Sequence, residues 1–290
     1  MTDAHRRFLF EEMPVRGGWV QVDAAYCEVL SRHDYPPVLR RLLGELLAAT
    51  ALLANNLKFK GSLIVQVQSP GPLQLLVVEC TDALGMRAIA KWKGELPDDS
   101  DLLQLAGNGR CVITLDPRDG AQMYQGIVAM ESGKIAEVLE HHMQNSEQLA
   151  TKIWLAADGE RAAGLLLQKL PGGGSGSGKL VEDWERVTLL GSTVRGDELL
   201  KLDAEGLLQR LFPEETVRLF AEHPVRFECG CSGTRVANAL LLLGRGEIEQ
   251  VLAEQVRIEV ACEFCNRKYT FERAEALALF AQQESTPTVH

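Results

Sequence analysis

Long apolar runs are missing from this chain: its greasiest stretch, Leu46 to Ala54, falls well short of the ~20 residues that a spanning helix needs. The N-terminal Met1-Thr-Asp-Ala-His-Arg-Arg-Phe8 carries charge where a secretory leader needs an apolar core. Positive charge is not in excess either. Thirty Lys and Arg stand against forty Asp and Glu, a formal net charge of −10, which disfavours a phosphate backbone as partner. A dinucleotide fingerprint and a nucleophile elbow are both lacking. These absences set the expectation of a cytoplasmic protein with reduced thiols and with neither a membrane nor a nucleic acid as partner.

What remains is ordinary globular material: 290 residues, 46% hydrophobic and 24% charged, enough for about two domains. In the first half Leu63, Val65 and Val67 alternate with Ile64, Gln66 and Gln68. Ser69-Pro-Gly-Pro72 then turns the chain, and Leu73, Leu75 and Val77 resume the alternation, as in a β-hairpin. Further strands are expected at 86–92, 110–115, 121–129, 151–156 and 162–170, and helices at 23–31, 38–55 and 134–143. Strands that follow one another directly argue for an α+β fold, with a sandwich-like sheet domain, and against βαβ winding.

Residues 171–178, Pro-Gly-Gly-Gly-Ser-Gly-Ser-Gly, are written as a flexible connector. Gly173 to Lys179 also spells G-x-x-x-x-G-K, but Leu180 stands where a phosphate loop needs a hydroxyl for magnesium. A helical stretch is expected over 180–225, with apolar positions at Leu180, Val181, Trp184, Val187 and Leu190, then Leu207, Leu208, Leu211 and Phe212, then Val217, Leu219 and Phe220. Such faces must be covered. They are either a packed linker or a surface exposed when support is withdrawn. Three divisions follow: an α+β domain at 1–170, connector and helical linker at 171–225, and a small α+β domain at 226–290.

That last division holds four of the seven cysteines, as Cys229-Gly-Cys231 and Cys262-Glu-Phe-Cys265. In a reducing compartment two close pairs suit one tetrahedral zinc, which takes four thiolates and leaves no position for a catalytic water. A zinc staple without further role is one reading. Redox chemistry is the other, because helix ends and nearby Arg235, Arg267 and Lys268 favour thiolate over thiol. Each pair is also close enough to close on itself under peroxide. A thiol oxidoreductase is a third possibility. Residues 226–290 carry seven basic and nine acidic side chains, so a nucleic-acid-reading ribbon lacks its basic face. Cys27, Cys80 and Cys111 are expected as buried small hydrophobes, and His141 and His142 as exposed.

These residues resemble those of the bacterial redox-regulated heat-shock protein 33 chaperones. The resemblance is carried by Phe227-Glu-Cys-Gly-Cys-Ser232 with Arg235, and by Cys262-Glu-Phe-Cys265 followed by Tyr269 and Phe271. Leu42-Leu-Gly-Glu-Leu-Leu47, Leu57-Lys-Phe-Lys-Gly61, Gly71-Pro-Leu73, Gly107-Asn-Gly109 and Ser146-Glu-Gln-Leu149 add to it. The Gly172–Gly178 connector departs from the family pattern. The resemblance implies an ATP-independent holdase, inactive while reduced with one zinc on Cys229, Cys231, Cys262 and Cys265. On oxidation, it implies, Cys229 pairs with Cys231 and Cys262 with Cys265, zinc leaves and the linker unfolds. The protein then dimerises and captures unfolding clients on a surface that would include Leu180, Val181, Trp184, Val187, Leu207, Leu208, Leu211 and Phe212.

Overall fold

A computed structural model describes residues 3–56, 60–117, 122–171 and 177–284. The connector at 171–178, its phosphate-loop spelling and part of 57–61 therefore lie largely outside the described residues. The chain divides into two compact units between Glu228 and Cys229. The first runs β1 (Ala4–Phe10), β2 (Val15–Val22), α1 (Ala24–Leu30), α2 (Pro37–Asn56), β3 (Gly61–Gln68), β4 (Leu73–Thr81), β5 (Gly85–Trp92), α3 (Leu102–Ala106), β6 (Arg110–Pro117), β7 (Tyr124–Ala129), α4 (Ile135–Asn145), β8 (Thr151–Ala157) and β9 (Ala162–Lys169). It continues through α5 (Ser177–Gly191), α6 (Gly196–Lys201), α7 (Ala204–Leu211), β10 (Val217–Pro224) and β11 (Arg226–Phe227). The second comprises α8 (Gly233–Leu243), α9 (Arg245–Glu254), β12 (Arg257–Ala261), β13 (Lys268–Glu272) and α10 (Arg273–Glu284). The α+β class read from the sequence is what the structure has.

Helix α2 sits between two sheets. Pro37 opens it, where a missing N–H costs nothing, and Leu and Ala occupy nearly every side of it. A helix apolar all round must be covered all round. One face meets β2, β8 and β9 of a sheet ordered β10-β1-β2-β9-β8, and the other meets β3, β4 and β5 of a sheet ordered β11-β5-β4-β3-β6-β7. Gly44 permits the approach, since a Cβ there would lie 2.6 Å from that of Ala157 and 2.9 Å from the Tyr26 ring.

On the far side of the first sheet α5, α6 and α7 supply a second core. Val187, Leu199, Leu207, Leu208, Leu211 and Phe212 are buried with Phe8, Phe10, Val15, Trp19, Leu165 and Leu167. The T-shaped pair of Phe10 and Phe212, with ring centres 5.1 Å apart, is part of this contact. Asp203 caps α7 by accepting from the Gly206 N–H at 2.8 Å. Gly191, Gly196 and Gly206 lie at or near helix ends, where they weaken little.

The helical reading fails at its far end. Val217, Leu219 and Phe220 belong to strand β10, which pairs antiparallel with β1. Pro213 ends the helical run, and from there burial alternates, Val217 and Leu219 half-buried against exposed Arg218, the period of a strand. Strands β1 and β2 also went unread, because Arg6-Arg7 and Gly17-Gly18 interrupt their apolar pattern. Cys80 and Cys111 are buried as expected, whereas Cys27 is exposed. His142 is buried rather than exposed, with Gly126 against its ring.

Two measurements follow from this packing. Leu207 has no exposed surface, so Leu207→Ala should lower the urea-unfolding free energy of the first unit by about 2–5 kcal/mol. His5 is buried too, and burial, with His223 and Arg7 nearby, pushes its pKa down to about 3. The unfolded chain takes up this proton below pH ~6.5 and the folded one does not. Stability from this residue is thus present above pH ~6.5 and lost as pH falls towards 3. Unfolding free energy should drop by about 2 kcal/mol between pH 6.5 and 5, and His5→Gln should remove that slope.

Candidate metal centre

The second unit has little with which to hold itself together. Among the described residues its fully buried core is Leu240, Ile248, Leu252, Ile258, Ala276 and Phe280, with partly buried side chains such as Phe271 and Leu277 against it, for a module of about sixty residues, a size at which apolar burial alone rarely suffices.

The four cysteines come from two local structures. Strands β12 and β13 pair in register from Arg257↔Glu272 to Ala261↔Lys268, and Cys262 to Cys265 form the knuckle between them. The Cys262 N–H donates to the Arg267 carbonyl at 2.9 Å and the Asn266 N–H to the Cys262 carbonyl at 2.7 Å. Asn266 takes φ +57° to close the turn, a conformation that asparagine tolerates. The other two cysteines flank Gly230 just ahead of α8, whose cap is Ser232, accepting from the Arg235 N–H at 3.2 Å. The Arg235 guanidinium turns back to the Gly230 carbonyl at 2.9 Å.

The four Sγ atoms all lie within 4.8 Å of one another. Cys229 and Cys262 are 3.7 Å apart and Cys231 and Cys265 3.4 Å apart. A tetrahedral thiolate site with metal–sulfur bonds of ~2.3 Å has edges of about 3.8 Å, so the cluster can hold one metal ion. The sequence brought all four sulfurs together correctly. It gave no role to Tyr269, whose hydroxyl donates to Cys231 Sγ at 3.0 Å. The signal was its position, two residues before Phe271 on the inward side of β13.

Crowding splits the titration of these thiols. Burial disfavours a Cys231 thiolate, but the hydrogen bonds from Tyr269 and the other three sulfurs outweigh it and pull that thiol down to about 7. Burial and the other sulfurs push Cys265 up to about 12. One negative charge is easily accommodated and the next are not, so full ionisation calls for a cation. Among the described residues this is the one group of ligand side chains with metal-binding geometry.

Treating the reduced protein with a metal chelator should unfold residues 229–284 while the core of the first unit around α2 stays folded. Hydrogen exchange read by mass spectrometry checks this: amides of α8 to α10 should lose protection and those of α2 should keep it.

Comparison with known proteins agrees with this geometry. The family model described as Hsp33 protein matches residues 3–272. The 33 kDa chaperonin of Methylobacillus flagellatus is 51% identical over 288 residues, covering 99% of this chain and 97% of that one. The 33 kDa chaperonin of Chromobacterium violaceum is 48% identical over 280 residues, covering 96% and 94%. The crystal structure of the 33 kDa chaperonin of Thermotoga maritima shares the fold at a TM-score of 0.82 and 22% identity, over 97% of this chain and 99% of that one. A match of this extent, over a chain that also brings its two cysteine pairs into one cluster, places the protein in the Hsp33 family.

Proposed function

We propose that the protein is a redox-regulated, ATP-independent holdase whose sensor is the cluster of Cys229, Cys231, Cys262 and Cys265. The observation that carries this reading is the convergence of four sulfurs within 4.8 Å in a module whose own apolar core is too small to fold it. Zinc is the ion this donor set favours, and when bound it neutralises the thiolates and supplies folding free energy on the order of 10 kcal/mol.

Peroxide reverses that support. A thiolate sulfur attacks one peroxide oxygen, the O–O bond breaks, and hydroxide leaves behind a sulfenic acid. The second thiolate of the pair attacks that sulfur, an S–S bond forms and a second hydroxide leaves. Each disulfide consumes one peroxide and gives up two electrons. With Cys229 joined to Cys231 and Cys262 to Cys265, no thiolate is left to ligate metal, and residues 229–284 lose their fold.

Loosening then passes along the chain to the helices α5–α7. Val187, Leu207, Leu208, Leu211 and Phe212, buried in the closed form, become available together with the sheet face beneath them. Trp184, half-buried, and Val181, already exposed, extend this surface, and Leu180 adjoins it in sequence. An aliphatic and aromatic surface of this kind binds unfolded polypeptide without reading its sequence. The protein works in the cytoplasm, pairs as a homodimer when oxidised, and acts by binding rather than turnover, on neither membranes nor nucleic acid. No helix among the described residues is long and apolar enough to cross a membrane.

Light scattering of a heat-denaturing client tests the reading. Reduced, zinc-loaded protein should leave aggregation unchanged, peroxide-treated protein should suppress it, and Cys262→Ser with Cys265→Ser should abolish the peroxide response. Equal suppression by the reduced and oxidised samples, or by neither, would overturn it.

A further inference from the structure

Between the two sheets of the first unit, beside the last turns of α2, lies a cavity of about 60 Å³. Its walls are mostly aliphatic, with Leu63, Ile113 and Met143 among them. Five polar side chains also reach it: Arg16 of β2, Gln168 of β9, Tyr124 of β7, His142 of α4 and Glu147. His142 and Gln168 are buried, whereas Tyr124 and Glu147 are exposed, so the cavity opens towards solvent on their side.

Two opposite charges stand on these walls, and neither is neutralised. The Arg16 guanidinium donates from Nε to the Gln168 carboxamide oxygen at 3.0 Å, with Nη2 bonded to the same atom. Among the described residues no carboxylate lies within ion-pair distance of it, and burial together with Arg7 disfavours its charge. Gln168 is neutral and already committed, its Nε2 donating to Thr151 Oγ1 at 2.9 Å. Glu147 is in the converse position. It accepts from the Tyr124 hydroxyl at 3.2 Å, and the basic group beside it is His142, whose Nε2 lies 3.8 Å away and whose burial holds it in the neutral form. The other ring nitrogen of His142, Nδ1, is buried with no hydrogen-bond partner, which is costly in a protein interior.

We propose that this cavity is a binding site for a small zwitterionic amino carboxylate, its carboxylate held by Arg16 and its ammonium by Glu147. The carboxylate brings Arg16 the planar anion that a guanidinium pairs with best. The ammonium brings Glu147 a cation and gives His142 Nδ1 the donor it lacks. A simple anion would satisfy Arg16 and face Glu147, and a simple cation would do the reverse, so the two charges together select a molecule that carries both. The volume is the share of about two water molecules, which sets the ligand at the scale of glycine or alanine. The aliphatic walls accept a methyl group and offer a polar side chain no partner. Bound there, the ligand joins β2 to the segment between α4 and β8 and stabilises the first unit by mass action. No cysteine of the cluster takes part, so binding is independent of the redox reading above.

The test uses the full-length reduced chain with carbon-13 in its isoleucine methyl groups, titrated with L-alanine and followed by NMR. The Ile113 methyl resonance should shift to saturation with a Kd of about 1 mM, a strength within reach of six heavy atoms, while that of Ile258 in the second unit stays in place. Propionate, which lacks the ammonium, and ethylamine, which lacks the carboxylate, should each bind at least about tenfold more weakly, the loss of one charge-assisted contact. Arg16→Gln and Glu147→Gln should weaken alanine binding by about the same factor. Leu115→Phe, on the half-buried cavity wall, should abolish the shift without removing a charge, which covers the case that Arg16→Gln folds poorly. Propionate or ethylamine binding as tightly as alanine would overturn the assignment. An Ile113 resonance that alanine leaves unmoved in the parent chain would overturn the site itself and leave the cavity to water.

Discussion

Four thiol sulfurs drawn within 4.8 Å of one another cannot all be ionised unless a cation shares the space. The first proton leaves readily, because Tyr269 and the neighbouring sulfurs stabilise the charge on Cys231; each further charge must be added against those already present. On the redox reading proposed above, the second unit would couple three quantities that are usually separate: its metal content, its thiol oxidation state and its fold. With six fully buried apolar side chains among its described residues it would have little independent stability to separate them again.

The first unit is built on the opposite principle. Its central helix is covered on both sides by sheet, and its core draws on α2, both sheets and α4, so it does not need the metal. The cover of α5–α7 is held differently, its apolar faces buried on one sheet only. An ion pair reinforces that attachment at the rim, Arg6 of β1 with Glu205 of α7 at 3.1 Å, and another, Arg210 with Glu198 at 2.9 Å, ties α7 to α6. These are partly exposed and contribute little each. The attachment thus depends mainly on burial, and a helix that leaves exposes two apolar faces at once. That asymmetry between a self-sufficient core and a conditional cover is what a gated binding surface requires.

The sequence carried these two principles unequally. Cysteine spacing announced the cluster, and the two structures that build it, the Ser232 cap and the β12–β13 hairpin, are both local in the chain. Helix α2 and the β3–β4 hairpin showed through clean periodicity. Strands β1, β2, β10 and β11 did not. β10 and β11 pair with strands far away in the chain, as Pro224 does with Ala4, which leaves no local period to read, while β1 and β2 pair with each other but have their apolar alternation broken by Arg6-Arg7 and Gly17-Gly18. Arg6 and Arg7 look like a solvated segment until β10 is laid beside them. Tyr269 was visible only as part of a family resemblance, because a hydroxyl aimed at a sulfur is a property of the folded hairpin. The pairing of Arg226 and Phe227 with Gly85 and Met86 was invisible for the same reason: Gly85 reads as an ordinary strand start until Glu228 occupies the space beside it.

The geometry of the cluster also bears on which sulfurs join. The contacts at 3.7 and 3.4 Å run across the two pairs, Cys229 to Cys262 and Cys231 to Cys265. Disulfides formed along those contacts would close loops of over thirty residues and restrict the unfolded chain by about 4 kcal/mol in the loop-entropy account. They would replace the metal as a staple and keep the module shut. Disulfides within the pairs close loops of three or four residues, constrain the unfolded chain by only about 2 kcal/mol, and leave the two halves of the module unconnected. Oxidation therefore opens this module only if the pairs close within themselves, although the resting contacts favour the opposite choice. For the pairs to close within themselves some element of the chain must bias the outcome, and Gly230 would supply part of it. Without a side chain between the two sulfurs, the Cys229–Cys231 backbone can fold into a ring that a bulkier residue would hinder.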